Sequence, residues 1–259
     1  MSKNQGRSVP VSATQNFLTS RSTVERLLKL TNINKNDTVL EIGAGKGHIT
    51  KALLDKSGHV IASEIDEKLY AALQNKLSGN DNLTLINADF LKISLPISEY
   101  KVFSNIPFAI TTDIMRKLTQ GNNPPQDAWL VMEKGAAKRF CGKPGDSLQS
   151  LLLKPLFNLS IAYHFQRDDF HPMPSVDVVL LHISKKTQPD LLLPDRKAYS
   201  RFISHGLRYG LFGKRALLSK QQVRTALSLA KLNPIKPGGE ILYIQWLCLF
   251  RCWLKHGRR

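Results

Sequence analysis

Cysteine is scarce. Cys141, Cys248 and Cys252 are the three in 259 residues, and they form no disulfide framework, which points to a reducing compartment. Cys248 and Cys252 stand one helical turn apart, but no His or Cys of ligand-like spacing accompanies them. They read as small buried hydrophobes, and no metal is expected. Long apolar runs are also missing. The most apolar late stretch, 241–254, is too short to span a bilayer and contains Gln245 and Arg251. The polar start, Met1-Ser2-Lys3-Asn4-Gln5-Gly6-Arg7, has no apolar signal core. A cytoplasmic protein with no membrane partner is expected. Acid is the third shortage: 20 Asp+Glu face 37 Lys+Arg, for a net charge of +17. Such an excess favours phosphate-rich partners and says nothing about fold. Internal repeats and low-complexity tracts are absent too.

What remains is a chain with a core. Hydrophobic residues make up 42%, enough for an α/β domain plus a small second one. Strand and helix signals alternate from about residue 20 to residue 184. Ser22 with Glu25 reads as a capping box opening a helix through Val24, Leu27 and Leu28. Asp37-Thr38-Val39-Leu40-Glu41-Ile42, His59-Val60-Ile61-Ala62-Ser63-Glu64, Leu83-Thr84-Leu85-Ile86, Lys101-Val102-Phe103 and Trp129-Leu130-Val131-Met132 read as strands. Two late strands, at 160–165 and 176–183, have no clear helix between them and suggest an antiparallel hairpin at one edge. The pattern predicts a mostly parallel, Rossmann-like α/β sheet over residues 1–185. After Lys185-Lys186 the pattern is helical and densely basic, which predicts a small all-helical domain over 186–259.

Glu41-Ile42-Gly43-Ala44-Gly45-Lys46-Gly47 follows a strand and opens a helix. Glycine permits the sharp turn and a close approach of backbone to a ligand, and the helix start adds N–H donors. Glu64 closes the second strand, where a carboxylate can accept both ribose hydroxyls, and Asp89 closes the third, where one can take an adenine amine. A nicotinamide dinucleotide and S-adenosylmethionine both fit this outline. Glu41 suits the cationic end of S-adenosylmethionine and sits badly beside a pyrophosphate, and the Gly-X-Gly-X-Gly loop lacks the third glycine of the dinucleotide pattern. S-adenosylmethionine is therefore favoured. Further on, Asn105-Ile106-Pro107-Phe108 places an amide, a proline-held backbone and a ring at consecutive positions after a strand. Such a group can grip the exocyclic amine of a nucleobase, although Asn-X-Pro is also common in turns.

Taken together, Gln15-Asn16-Phe17-Leu18, the 41–47 loop, Glu64-Ile65-Asp66, Asp89, Asn105-Ile106-Pro107-Phe108 and Phe170-His171-Pro172-Met173-Pro174-Ser175-Val176 occur in the order of a known family. The chain resembles the ribosomal RNA adenine N6-methyltransferases, which are class I methyltransferases. Within them it is most similar to the Erm group, which modifies one adenine of 23S rRNA and causes macrolide–lincosamide–streptogramin B resistance. Thr111 to Lys117 and Met132 to Arg139 share in that likeness, which is strong over 12–184 and general beyond.

The resemblance implies that Asn16 and Leu18 close over S-adenosylmethionine, that Gly43 lies beneath its methionine part, and that Glu64 and Asp89 hold its ribose and adenine. It implies that Asn105 lines both cofactor and target, that Asn105, Ile106, Pro107 and Phe108 form the catalytic corner, and that Phe108 and Phe170 flank the target base. Many Erm members carry tyrosine where this chain has Phe108. Lys134, Lys138, Arg139, Arg208, Lys214 and Arg215 are the candidate RNA contacts. The expected partner is 23S rRNA before full ribosome assembly, and the expected state is a monomer. Small-subunit rRNA dimethyltransferases share the fold but usually read Asn-Leu-Pro-Tyr. A non-catalytic RNA-binding factor on the same fold and a nicotinamide dehydrogenase are the remaining alternatives.

Overall fold

The computed structural model describes residues 17–18, 20–236 and 238–257. In chain order the elements are β1 (Phe17–Leu18), α1 (Arg21–Lys29), β2 (Thr38–Ile42), α2 (His48–Lys56), β3 (His59–Glu64), α3 (Glu67–Leu77), β4 (Leu83–Asn87), β5 (Lys101–Asn105), α4 (Thr111–Gln120), β6 (Asp127–Glu133), α5 (Lys134–Cys141), α6 (Leu148–Leu153), β7 (Phe157–His164), β8 (Phe170–His171), β9 (Val178–Lys185), α7 (Arg196–Tyr209), α8 (Lys220–Leu229) and α9 (Tyr243–His256). They fall into two compact units. One runs to Ala137 and resumes over Ser160–Lys185; the other takes Lys138–Leu159 and the chain from Lys186 onward.

The first unit is built on a seven-stranded sheet in the order β4-β3-β2-β5-β6-β9-β7. The pairs from β4 to β6 are parallel, and β9 runs antiparallel to β6. The two late strands thus stand at one edge, as the missing helix between them suggested. Alternate residues of a strand face opposite sides. Val39, Phe103, Trp129 and Val131 join Leu27, Leu53 and Leu73 in one cluster. Leu40, Val102, Leu130 and Met132, at the alternate positions, are equally buried outside that cluster, so both faces of the sheet are covered. Two-sided burial is why these strands read as unbroken apolar runs. β1 and β8 form a separate antiparallel pair, Phe17 facing His171 and Leu18 facing Phe170.

At the start of α1 the structure corrects the sequence expectation. The cap is Ser20, whose Oγ accepts the Thr23 N–H, while Glu25 pairs with Arg21 at 2.7 Å. Ser22 instead shares a 2.6 Å hydrogen bond with Ser20. The hydroxyl two residues earlier is the one with extended backbone, the geometry a cap requires.

The second unit packs α6, α7, α8 and α9 around Leu151, Tyr199, Phe202, Val223, Trp246 and Phe250. The Tyr199 hydroxyl donates to the Leu151 carbonyl at 3.2 Å. Gly206 of α7 admits the Trp246 ring, for a Cβ there would lie 2.6 Å from Trp246 Cζ3. The expected boundary at 185 gave residues 138–159 to the sheet domain. Those residues fall in the helical unit, where the apolar side of α6 is buried with side chains of α7 and α9. No described helix is long and apolar enough to cross a membrane.

Candidate active site

From β2 the chain builds outward through β3 and β4, then returns to β2's other side for β5 and β6. Open sheets hold ligands at the carboxyl ends of strands where the order reverses in this way, here β2 and β5. Their ladder pairs Val39 with Lys101 and Leu40 with Val102. Past it, the Ser104 hydroxyl takes over: it donates to the Ile42 carbonyl at 2.6 Å and accepts the Ile42 N–H at 3.3 Å. One buried side chain thereby ties two strand ends whose backbones have parted. The glycine loop leaves one of these ends and the Asn105 corner leaves the other.

The loop is held from β3. The Ser63 carbonyl accepts both the Gly43 N–H, at 2.9 Å, and the Ala44 N–H, at 3.0 Å. Gly43, Gly45 and Gly47 take φ of 72°, 56° and 78°, a region costly for other residues. At Gly45 space is decisive as well, because a Cβ would lie 2.7 Å from Phe17 Cε1. Gly47 caps α2 without any side-chain hydrogen bond.

The acids sit where the sequence placed them, at strand ends. Glu64 is 2% exposed. Its Oε2 accepts the Gly45 N–H at 2.8 Å and its Oε1 accepts the Asp66 N–H at 2.9 Å. Each carboxylate oxygen retains a further lone pair for a hydroxyl. Asp89 is half-buried just past β4, its Oδ1 accepting the Leu91 N–H at 2.9 Å. Glu41 is 1% exposed, and its Oε2 lacks a hydrogen-bond partner among the described residues. Burial pushes its pKa up to about 8; neighbouring Thr50 opposes that rise and the Glu64 charge adds to it. Thr50 Oγ1 is likewise buried without a partner among the described residues. A buried acid with an orphaned oxygen fits a cationic ligand group.

At the end of β5, Asn105 is half-buried and pairs with Val131 in the sheet. The Ile106 N–H donates to the Val131 carbonyl at 3.2 Å, and the Ile106 side chain is 2% exposed. Pro107 then turns the chain, and the Thr111 hydroxyl donates to the Phe108 carbonyl at 2.9 Å. The Phe108 ring is half-buried against the core. The corner is thus fixed by a sheet pair, a buried side chain and a helix start.

The Phe170 ring is 2% exposed and meets Phe165 at 5.1 Å, with β8 paired to β1. Leu18 is likewise buried, at 3%, so the side chain covering the loop is that of Phe17, which sequence reasoning did not single out. Asn16 lies outside the described residues. Ser104 was missed too, although a hydroxyl inside an apolar strand was the available signal. Among the basic candidates, Lys134 is tied to Asp177 at 3.0 Å and holds that carboxyl below its usual range. Lys138 and Arg139 are exposed, as are Arg208, Lys214 and Arg215 in the second unit.

Comparison with known proteins agrees with this geometry. A family model described as ribosomal RNA adenine dimethylase matches residues 8–226. An rRNA adenine N-6-methyltransferase of Bacillus licheniformis is 34% identical over 95% of this chain and 88% of its own length. One from Limosilactobacillus reuteri is 34% identical over 92% of this chain and 94% of its own. The crystal structure of the 23S rRNA methyltransferase ErmE superposes with a TM-score of 0.78 at 27% identity, covering 92% of this chain and 99% of ErmE. A dimethyladenosine transferase from Plasmodium falciparum, at 22% identity and a TM-score of 0.69, shares the fold over 90% of this chain and 86% of its own. By sequence and by fold, the chain belongs to the ribosomal RNA adenine dimethylase family of S-adenosylmethionine-dependent rRNA adenine N6-methyltransferases.

Proposed function

We propose that the enzyme methylates one adenine of 23S rRNA in the cytoplasm, acting as a monomer on RNA not yet assembled into ribosomes, and thereby confers macrolide–lincosamide–streptogramin B resistance. The likeness to ErmE across nearly the whole chain supports the 23S assignment. The observation that carries the chemistry is the Ser104 bridge, which ties the strand end bearing the glycine loop to the strand end bearing Asn105.

S-adenosylmethionine, when bound, supplies a methyl group on a positively charged sulfur. The residues at hand fit it: Glu41 has an unpartnered buried oxygen for a cationic group, Glu64 has capacity for ribose hydroxyls, and Asp89 stands ready for an amine. Adenine N6 is a weak nucleophile, since its lone pair is delocalised into the ring. The Asn105 side-chain oxygen and the Ile106 carbonyl accept its two hydrogens and hold the nitrogen in a more tetrahedral form. These bonds strengthen as positive charge develops there, so they favour the transition state over the ground state. The Phe108 ring fixes the base plane for in-line attack. The proton leaves after the attack and needs no strong base. The target must leave its stack to reach this corner, and contact with a protein ring offsets part of that cost.

Incubation with labelled S-adenosylmethionine and protein-free 23S or 16S rRNA, followed by primer extension, tests the reading. One stop at a single 23S adenine is expected. Label in 16S rRNA alone would move the enzyme to the small-subunit group. Asn105→Ala should lower turnover at least ~100-fold with a smaller loss of cofactor binding, and turnover at the wild-type level would remove Asn105 from the mechanism.

A further inference from the structure

We infer that the turn from His205 to Arg215, in the second compact unit, is a docking site for an unpaired stretch of RNA. The inference rests on the rRNA reading and adds to it a second place of contact and the form of RNA recognised there. Charge is the first ground. From Arg196 to the end of the sequence there are fourteen Lys and Arg and a single acid, Glu240. A stretch with so few carboxylates leaves most of its cations without an internal partner and suits a polyanion.

Local geometry is the second ground. α7 ends at Tyr209, and Gly210, at φ 78°, turns the chain back. His205 Nε2 donates to the Arg215 carbonyl at 2.6 Å, which fastens the returning strand of the turn to the helix. Two guanidiniums from either side of the turn then share one ring: Arg208 lies 5.2 Å and Arg215 5.0 Å from the centre of Tyr209. Leu211 is 7% exposed and anchors the tip, while Phe212 beside it leaves 44% of its surface in solvent. Arg208, Lys214 and Arg215 make no ion pair among the described residues.

A rigid turn that shows an aromatic ring among unneutralised cations has the two parts that single strands require. Cations follow the phosphates, and a ring or a guanidinium plane stacks a base. A duplex offers phosphates and 2′-hydroxyls, but its bases are already stacked on one another. The aromatic part of the site therefore selects unpaired RNA, such as a loop or bulge near the target.

The test measures binding of the full-length chain to a fluorescent twelve-nucleotide RNA, single-stranded or annealed to its complement, over a series of KCl concentrations. Phe212→Ala should weaken single-strand binding about tenfold, leave the salt slope unchanged and leave duplex binding intact. Phe212→Tyr, which keeps the ring, should bind as wild type does. The triple change Arg208→Gln, Lys214→Gln, Arg215→Gln should flatten the salt slope by about 2, from ~0.7 per phosphate on single strands. Thermal melts of each variant confirm the fold. Equal losses on single strand and duplex, or no loss with Phe212→Ala, would overturn the inference. So would vesicles rich in anionic lipid that bind more tightly than the RNA and lose binding with Phe212→Ala. Failure of the wild type to methylate rRNA is a separate result and bears on the catalytic reading, because oligonucleotide binding at this turn does not need transfer.

Discussion

At the residue scale, Glu41 makes the sharpest prediction. Its carboxyl titrates near pH 8 in the folded chain against an ordinary value of 4.5. Between those values the folded state keeps a proton that the unfolded state has released. Its contribution to stability is thus whole below about pH 4.5, declines as pH rises towards 8, and changes no further above that. Glu41→Gln should remove this slope, so that the variant's melting temperature gains on wild type from pH 5 to pH 8. A cationic ligand favours the carboxylate, so S-adenosylmethionine affinity should strengthen up to about pH 8 and then level off, with proton release seen by calorimetry in buffers of different ionisation heat. A pH-independent affinity would remove Glu41 from the cofactor's cationic end. Gly45→Ala should cost about 1–3 kcal/mol by urea unfolding, since it meets both a positive φ and the Phe17 ring. The residues of this site differed in legibility. The placement of Asn105, Glu64 and Gly43 at strand ends could be read because residue type and chain position constrain it together. Phe17 could not, because its role comes from a pairing with β8 more than 150 residues away in sequence. The burial of Phe170 was hidden for the same reason, since it comes from that pairing.

At the scale of elements, the parallel strands were legible because burial on both faces makes each an unbroken apolar run. What the runs did not reveal is how they end. Ser104 stands where β2 and β5 part, and Ser104→Ala should cost about 1–3 kcal/mol by leaving the Ile42 N–H and carbonyl without their partner. The same change should raise the KM for cofactor more than a similarly destabilising change elsewhere in the first unit, such as Ile183→Val in β9 at the end of the sheet away from the site. α6 escaped notice because six residues with four leucines have no visible period. The α1 cap was misplaced by two residues because Ser20 and Ser22 look alike until the backbone angle at Ser20 is known. Gly206→Ala should loosen α7 from α9 and destabilise the second unit by about 1–3 kcal/mol, since its methyl group would meet Trp246. Thermal denaturation followed by tryptophan fluorescence checks it.

At the scale of the whole molecule, the +17 charge was legible at once, and the class of partner with it. The division into units was not, because the helical unit draws on two separate stretches of chain. A chain truncated after Lys185 would strand Leu151 without Tyr199 and Phe250, and should aggregate on expression where the full-length chain does not; a monodisperse, folded 1–185 fragment would count against the division drawn here. The backbone passes from one unit to the other three times, near residues 137, 159 and 185. A protease nick at any single crossing therefore divides the chain into two pieces, yet each cut leaves at least one unit assembled from both, with β9 paired to β6 or α6 packed with α7 and no covalent bond between the pieces. Such a nicked enzyme would migrate as fragments on a denaturing gel and yet travel as one particle in its native form.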